Sequence, residues 1–191
     1  VGLGYIGLPT ACLLAVNGYQ VVGVTRNSKI VDEINKGQTR IKENGMEQIL
    51  SSALQSGFTA STNVTDADCF LLCVSVDLDE KNKKCDYTNI IQAAESIQHH
   101  LKPGNVVILE STVTPGTTRY ILIPMLEKSG LKTNKDFFAV YCPERAIPGN
   151  LLHELINNNR IIGSTNEQGR KLAKEIYSSF VKGQILFTDE T

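Results

Sequence analysis

Short apolar runs alternate with longer stretches in which apolar residues recur every three or four positions. The runs 69–74 and 106–109 are continuously apolar, which is typical of strands buried on both faces of a sheet. In the segment 86–101 the apolar residues instead follow the period of an amphipathic helix, at Ile90, Ile91, Ala94, Ile97 and Leu101. The pattern therefore predicts strands and helices in alternation.

Glycines, prolines and capping residues set the bounds of these elements. Predicted strands cover residues 19–24, 58–62, 69–74, 106–109, 138–141, 160–163 and 185–187. Predicted helices cover residues 8–17, 28–37, the second half of 38–56, 86–101, 117–129, 151–156 and 167–181. We expect Ser28 and Asp86 to cap their helices. The polar segment after residue 74 is predicted to be a loop, with Lys81-Asn82-Lys83-Lys84 at a solvated tip.

Strands that alternate with helices through short connections predict parallel strands joined by right-handed crossovers. The fold class expected is therefore α/β, with a doubly wound parallel sheet of the Rossmann type. No repeat, low-complexity stretch or linker interrupts the 191 residues. We interpret residues 1–191 as one domain.

Composition narrows the classes of partner. Hydrophobic residues make up 41% of the chain, charged residues 20%, and the formal net charge of −1 comes from mixed signs. Neither nucleic acid nor an acidic membrane surface is expected as the main partner. Apolar runs of about 18 residues and a signal-peptide pattern are both absent, so the expected location is cytoplasmic.

The cysteines and histidines give no sign of a metal site or a disulfide framework. Five cysteines, an odd number, occur without CxxC spacing, which is typical of reduced thiols. Cys142 precedes Pro143-Glu144, but no histidine lies nearby in sequence to activate it as a nucleophile. His99, His100 and His153 are expected on polar helix faces. No metal site is predicted.

Gly2-Leu3-Gly4-Tyr5-Ile6-Gly7 has the spacing GxGxxG between the end of a strand and the start of a helix. In this setting Gly2 allows a tight turn, Gly4 lets a diphosphate approach the backbone, and Gly7 lets the helix pack closely. The helix N-terminus then favours the bound phosphates. Residues Gly2, Gly4, Tyr5, Ile6 and Gly7 are thus predicted to bind a dinucleotide, the alternative being a glycine turn of structural use.

Thr25 occupies the place at the end of the second strand where an acidic residue usually binds the adenosine ribose of NAD. Thr25 and the adjacent Arg26 could accept the 2′-phosphate of NADP, which an acidic residue would repel. Alternatively, Thr25 still binds the ribose and Arg26 covers the adenine. Both residues are predicted to contact the cofactor, and the choice between NAD and NADP stays open.

Four motifs give the chain a specific resemblance. GLGYIGLPTA, ILESTVTPGTT, YCPERAIPGN and NNNRIIGS, in this order, resemble the UDP-glucose/GDP-mannose dehydrogenase family. The run CPER-x-x-PG with the downstream NNRIIG is most similar to the branch of this family that acts on UDP-N-acetyl-D-mannosamine. The resemblance implies NAD as the cofactor and a UDP-sugar as the substrate.

The family reaction implied by the resemblance converts the C6 alcohol of a nucleotide sugar to a carboxylate and reduces two NAD. A cysteine of a second domain and a lysine and an asparagine of a central helix support it. None of them matches a position here, so we expect the chain to be inactive alone. It starts inside the glycine motif at Val1 and ends at Thr191, about where the central helix should begin, so we expect it to be cut at both ends. The resemblance further implies that the sugar binds with the second domain and that a homodimer forms.

Within the chain, the resemblance implies two catalytic residues. Thr112 matches the threonine that positions the catalytic water, and Glu144 matches the glutamate that works with it. The alternatives are a turn-capping hydroxyl for Thr112 and an ion pair with a neighbouring arginine for Glu144. Ser111 and Ser75 are expected to line the cofactor site, although Ser75 lies where relatives often carry a Val-Pro-Thr-Pro run.

Two other functions remain open from the sequence. A β-hydroxyacid dehydrogenase would share the glycine turn but is not expected to carry CPER-x-x-PG. A non-catalytic module that senses NAD is the second alternative. A downstream cysteine in a glycine-rich loop would favour the sugar dehydrogenase over this module.

Overall fold

The computed structural model describes residues 1–81 and 83–190. Its strands are β1 (Val22–Val24), β2 (Thr59–Ser61), β3 (Cys69–Leu72), β4 (Asp77–Asp79), β5 (Lys84–Asp86), β6 (Val106–Leu109), β7 (Phe138–Tyr141), β8 (Arg160–Gly163) and β9 (Ile185–Thr188). Its α-helices are α1 (Gly7–Val16), α2 (Ser28–Asn35), α3 (Met46–Gln55), α4 (Thr88–Ile97), α5 (Ile123–Leu126), α6 (Leu151–Asn157) and α7 (Glu167–Ser178).

Two sheets meet at the first two residues. The parallel pair β1–β2 and the five strands ordered β3-β6-β7-β8-β9 are separate ladders. The Val1 nitrogen donates to the Leu71 carbonyl (2.6 Å), and the Cys73 N–H donates to the Val1 carbonyl (2.8 Å). On the other side, the Gly2 N–H donates to the Val24 carbonyl (2.8 Å). Val1 and Gly2 therefore join both ladders at the point where the glycine turn begins.

Strand β6 shows why the sheet is covered on both faces. Val106 and Ile108 pack into a cluster that includes Ala173 and Tyr177 of α7. Val107 and Leu109 point to the opposite face and pack with residues of α4, among them Ile90. Because alternate residues of a strand face opposite sides, a strand buried on both sides must be apolar throughout. The predicted α/β fold with helices on both faces is confirmed.

The prediction of a wholly parallel sheet is wrong at one pair of strands. Strands β3, β6 and β7 are parallel, but β8 pairs antiparallel with β7 through Tyr141 and Gly163. The connection between β7 and β8 contains only the short helix α6, of seven residues. The chain enters β8 at the same end of the sheet at which it left β7, so this connection is not a crossover. Helix α7 then provides one, and β9 is parallel to β8.

Two segments also differ from the predicted elements. The predicted loop contains the hairpin β4–β5, in which Leu78 pairs with Cys85. The three lysines of the predicted tip are exposed, and Asn82 lies outside the described residues. The predicted helix at 117–129 is a π-helical turn at Thr118–Leu122, then α5, then a 3-10 turn at Glu127–Ser129. Pro124 lacks the N–H that a regular α-helix needs, which explains the interruption.

Helix α2 begins one residue earlier than its predicted cap implies. The Asn27 side chain accepts hydrogen bonds from the N–H groups of Lys29 (3.0 Å) and Ile30 (3.4 Å). Ser28, the predicted cap, is the first helical residue. Both types of side chain serve as caps, so sequence alone could not choose between neighbours. Asp86 does accept from the Thr88 N–H at the start of α4, at 2.8 Å.

Replacing Asn27 should therefore matter more than replacing Ser28. We expect Asn27→Ala to lower the free energy of unfolding by about 1 kcal/mol, because two helix N–H groups lose their acceptor. Ser28→Ala should change it by less than about 0.5 kcal/mol. Urea denaturation of both variants measures the difference, and an equal loss in the two would contradict the assignment of the cap.

Candidate functional site

A cleft of about 590 Å³ opens between the ends of β1 and β3, beside α4. Of the residues that the sequence predicts to bind the cofactor, Gly2, Gly4, Thr25, Arg26 and Ser75 line it. Ligands of doubly wound sheets bind at the carboxyl ends of strands, where this cleft lies. The structure thus brings five of the nine predicted contacts into one cavity, although they come from three separate parts of the chain.

The glycine turn is fitted so tightly that two of its positions exclude a side chain. Gly2 has φ +95°, and a Cβ added to it would lie 2.5 Å from the Cys73 carbonyl oxygen. A Cβ on Gly7 would collide with the Gly2 carbonyl oxygen. Real side chains do not tolerate either arrangement without movement of the backbone.

Gly4 differs from its neighbours. No atom of the described chain lies within 4 Å of a Cβ built on Gly4. The residue is exposed and faces the cleft. The open space above this backbone is where a diphosphate would approach the N-terminus of α1, so the residues present fit a dinucleotide.

Tyr5 and Ile6 are not among the residues that line the cleft. The Tyr5 hydroxyl donates to Glu43 Oε1 (2.6 Å), and partial burial together with this bond raises the pKa of Tyr5 to about 12. The bond from Tyr5 lowers the pKa of Glu43, whose Oε1 also accepts from the Gly149 N–H (2.7 Å). The Tyr5 side chain therefore ties the glycine turn to the loop that follows β7. Ile6 packs against the core. Their predicted cofactor contacts stay predictions.

Arg26 is held across the cleft by α4. Its guanidinium donates to Gln92 and to Asn89 Oδ1, the latter at 2.9 Å from Nη2. Asn89 in turn donates to Ser75 Oγ (3.1 Å). Thr25 lies one residue before Arg26, and its N–H donates to the Ser61 carbonyl (3.0 Å). A phosphate that takes the Arg26 guanidinium would have to replace its two amide partners.

Ser111 and Thr112 follow β6 but play different roles. Ser111 is buried, and its hydroxyl donates to the Val74 carbonyl (2.6 Å), which binds the end of β6 to the segment after β3. Thr112 is exposed, and its hydroxyl has no hydrogen-bond partner in the described part of the chain. The turn that follows is capped instead by Thr117, whose hydroxyl donates to the Thr114 carbonyl (2.8 Å). The Thr112 hydroxyl is thus free to bind a ligand or water.

Glu144 is held on both of its carboxylate oxygens. Oε1 accepts from the N–H groups of Arg145 and Ala146, each at 2.7 Å. Oε2 forms an ion pair with Arg160, and the Glu144 side chain is only 4% exposed. The ion pair that the sequence left open is therefore present. The catalytic role of Glu144 stays a prediction.

Four residues near the site were not singled out from the sequence: Asn89, Gln92, Glu110 and Arg160. Glu110 and Arg160 are each 2% exposed at the ends of apolar strands. Their signal in the sequence was a charged residue directly beside a run that must be buried. Asn89 and Gln92 lie on the polar side of α4 and carried no signal.

Within residues 1–81 and 83–190, no three His, Cys, Asp or Glu side chains are grouped as metal ligands. In that same part of the chain, no helix combines the length and the apolar character needed to span a membrane. His100 pairs with Asp66 at 2.8 Å instead of lying free on the surface.

The comparisons with known proteins agree on one family. Residues 1–181 match the model of the UDP-glucose/GDP-mannose dehydrogenase family, NAD binding domain. The UDP-N-acetyl-D-mannosamine dehydrogenase of Methanococcus maripaludis is 42% identical over 193 residues, which cover 99% of this chain and 43% of the relative. The chain thus spans less than half the length of this curated relative.

Solved structures give the same answer. The UDP-D-ManNAc dehydrogenase of Pyrococcus horikoshii superposes with a TM-score of 0.94 at 36% identity, covering all of this chain and 46% of that one. The UDP-N-acetyl-mannosamine dehydrogenase Cap5O of Staphylococcus aureus gives 0.93 at 38% identity, over 98% of this chain and 46% of its own.

The contrast between Gly4 and Gly7 leads to a prediction. Gly4→Ala should leave the free energy of unfolding within about 1 kcal/mol of the parent, because its methyl group enters open space. It should weaken NAD binding at least about tenfold, because that space is where the diphosphate approaches. Gly7→Ala should lower the unfolding free energy by several kcal/mol, since overpacking forces the turn and the helix apart.

Denaturant unfolding and calorimetric titration with NAD separate the two effects. Unchanged NAD affinity in a folded Gly4→Ala variant would show that the diphosphate does not bind at this turn.

Proposed function

This chain belongs to the UDP-glucose/GDP-mannose dehydrogenase family, and from that premise we propose that it is the NAD-binding part of a UDP-sugar 6-dehydrogenase. The proposed reaction oxidises the C6 alcohol of UDP-N-acetylmannosamine, or of a closely related UDP-sugar, to the uronate in two NAD-dependent steps. The names of the most similar relatives support this substrate. The family match favours it over a β-hydroxyacid dehydrogenase.

The observation that carries the proposal is the open backbone at Gly4, between two glycines that no other residue can replace. A turn of purely structural use requires close packing but not an open face above its middle residue. We assign the diphosphate to this face, the adenosine ribose to Thr25, and the approach to the nicotinamide end to Ser75. When bound, NAD accepts the hydride in each oxidation step.

The protein contributes groups that bind and orient. We assign to the exposed Thr112 hydroxyl the positioning of the water that hydrolyses the second-step intermediate. Glu144 is the carboxylate that works with it, fixed from behind by Arg160. Both follow the carboxyl ends of adjacent parallel strands, β6 and β7, whose last residues, Leu109 and Tyr141, pair directly. Oriented acid–base groups of this kind contribute about 10²- to 10⁴-fold to a rate.

The same proposal covers the partners and the location. The UDP-sugar is expected to bind between this part and a second domain of the full-length enzyme, which forms a homodimer. A cytoplasmic location fits the nucleotide substrates, and the five cysteines are free thiols.

Assay of the full-length protein tests the function. With UDP-N-acetylmannosamine and NAD, we expect two NADH for each uronate formed, with UDP-glucose and GDP-mannose at least about tenfold slower. Thr112→Val, which keeps the shape but removes the hydroxyl, should lower kcat at least about tenfold with little change in the KM for NAD. NADH absorbance and product mass spectrometry give both numbers. Absence of NADH with every UDP-sugar tried would reject the proposal.

Cofactor selectivity is the finer part of the proposal. The missing acidic residue at position 25 removes a repulsion against a 2′-phosphate, but Arg26 is engaged with Asn89 and Gln92. We propose that NAD is the working cofactor and that NADP is tolerated better than by relatives with an acidic residue here.

Thr25→Asp should therefore raise the ratio of the NADP to the NAD dissociation constant by about tenfold or more, since a carboxylate binds the ribose and repels the phosphate. Thr25→Asn is the matched control of similar shape without charge, and its ratio should stay close to that of the parent. Equal rejection of NADP by all three proteins would show that Thr25 has no part in selectivity.

A further inference from the structure

A buried charge cluster, formed by Glu110, Glu144 and Arg160, lies behind the site. Glu110 and Arg160 are each 2% exposed, and the Glu144 side chain is 4% exposed. Glu110 directly follows β6, Glu144 comes three residues after β7, and Arg160 begins β8. Two carboxyl groups and one guanidinium thus lie buried at the ends of the neighbouring strands β6, β7 and β8. Charged residues are almost never buried this deeply unless a specific partner holds them.

The two carboxyl groups are held differently. Glu110 accepts from the Tyr177 hydroxyl (2.7 Å, Oε1) and from the Cys73 thiol (2.9 Å, Oε2). Burial raises the pKa of Glu110, and the charge of Arg160 opposes that shift. Glu144 instead receives the guanidinium itself, as an ion pair. Arg160 therefore binds Glu144 directly and acts on Glu110 through its charge.

Arg160 is firmly anchored but incompletely bonded. Its backbone N–H donates to the Gln184 carbonyl (2.9 Å), and its guanidinium lies 5.1 Å from the centre of the Tyr177 ring. Nη1 pairs with Glu144, whereas Nε and Nη2 have no acceptor within residues 1–81 and 83–190. An unsatisfied buried donor costs about 1–3 kcal/mol, so packing alone would favour an apolar residue here. Its presence points to a task other than stability.

We propose that Arg160 is the positioning residue for Glu144. The inference rests on the proposed function of Glu144. Arg160 fixes one carboxylate oxygen and the backbone of residues 145 and 146 fixes the other, which sets the direction of the Glu144 side chain.

Two variants of the full-length enzyme test the proposal. Arg160→Met removes the guanidinium that holds Glu144 Oε2. Arg160→Lys keeps a positive charge without the planar fork, so its kcat should lie between those of the parent and Arg160→Met.

The split between kcat and KM adds a second readout. Arg160→Met should lower kcat by about a hundredfold while the KM for NAD changes by less than about threefold, because the cleft lies elsewhere. A KM for NAD that rises as much as kcat falls would overturn the proposal. So would a kcat in folded Arg160→Met equal to that of the parent.

Stability measurements separate failure of this inference from failure of the proposed function. In urea unfolding, the effects of Arg160→Met and Glu144→Gln on the unfolding equilibrium constant should be coupled. That constant should be about tenfold smaller in the double variant than the two single effects multiplied together imply. This cycle needs no substrate. Additive effects on the free energy of unfolding would show that Arg160 does not hold Glu144, even in an active enzyme. Coupling in an enzyme that oxidises no sugar would instead reject the proposed function.

Discussion

The structure depends on the close approach of the glycine turn to the end of β3. The carbonyl oxygen of Cys73 lies where a side chain on Gly2 would have to go, and the Gly2 carbonyl fills the corresponding place at Gly7. These contacts let the chain pass between β1 and β3, join two ladders through Val1 and Gly2, and enter α1 immediately. The cleft beside the turn exists because helix and strands meet here without side chains between them. Any larger residue would separate the elements that form the site.

A second constraint operates behind the cleft, where charges are buried. Sheets of this kind are normally apolar between their helix layers, as the four residues of β6 are. At the next position the chain places Glu110, and its neighbours Tyr177, Cys73 and Arg160 supply donors or positive charge. Such a network costs stability unless its members are matched, so it defines how the strand ends are arranged. The loop that bears Glu144 takes its position from this network and from Glu43.

Much of the fold could be read from the sequence because its signals are local. The apolar runs of β3, β6 and β7 indicate burial, and the glycine spacing indicates a tight turn. Each of these demands is met by the residue at the position itself. The antiparallel direction of β8 could not be predicted from the sequence, because it depends on the short connection that α6 provides between β7 and β8. The hairpin β4–β5 was hidden by charged residues that look like those of a loop.

The candidate site divides along the same line. The turn and Thr25 were recognised because position and residue type suffice. The burial of Glu110 and Arg160 was missed, since a charge beside an apolar run has the same sequence pattern whether it faces solvent or core. The hydrogen bonds of Arg26 to Asn89 and Gln92 join distant segments, and neither segment carries a sequence pattern that indicates them.

The central claim is that the cleft above Gly4 is the NAD site. Titration of the isotope-labelled chain with NAD, followed by the amide resonances, tests it most directly. The amides of Gly4, Thr25 and Ser75 should shift together with one dissociation constant, while that of Leu186 on β9 stays unchanged. Shifts confined to other parts of the chain, or none at millimolar NAD, would contradict the account.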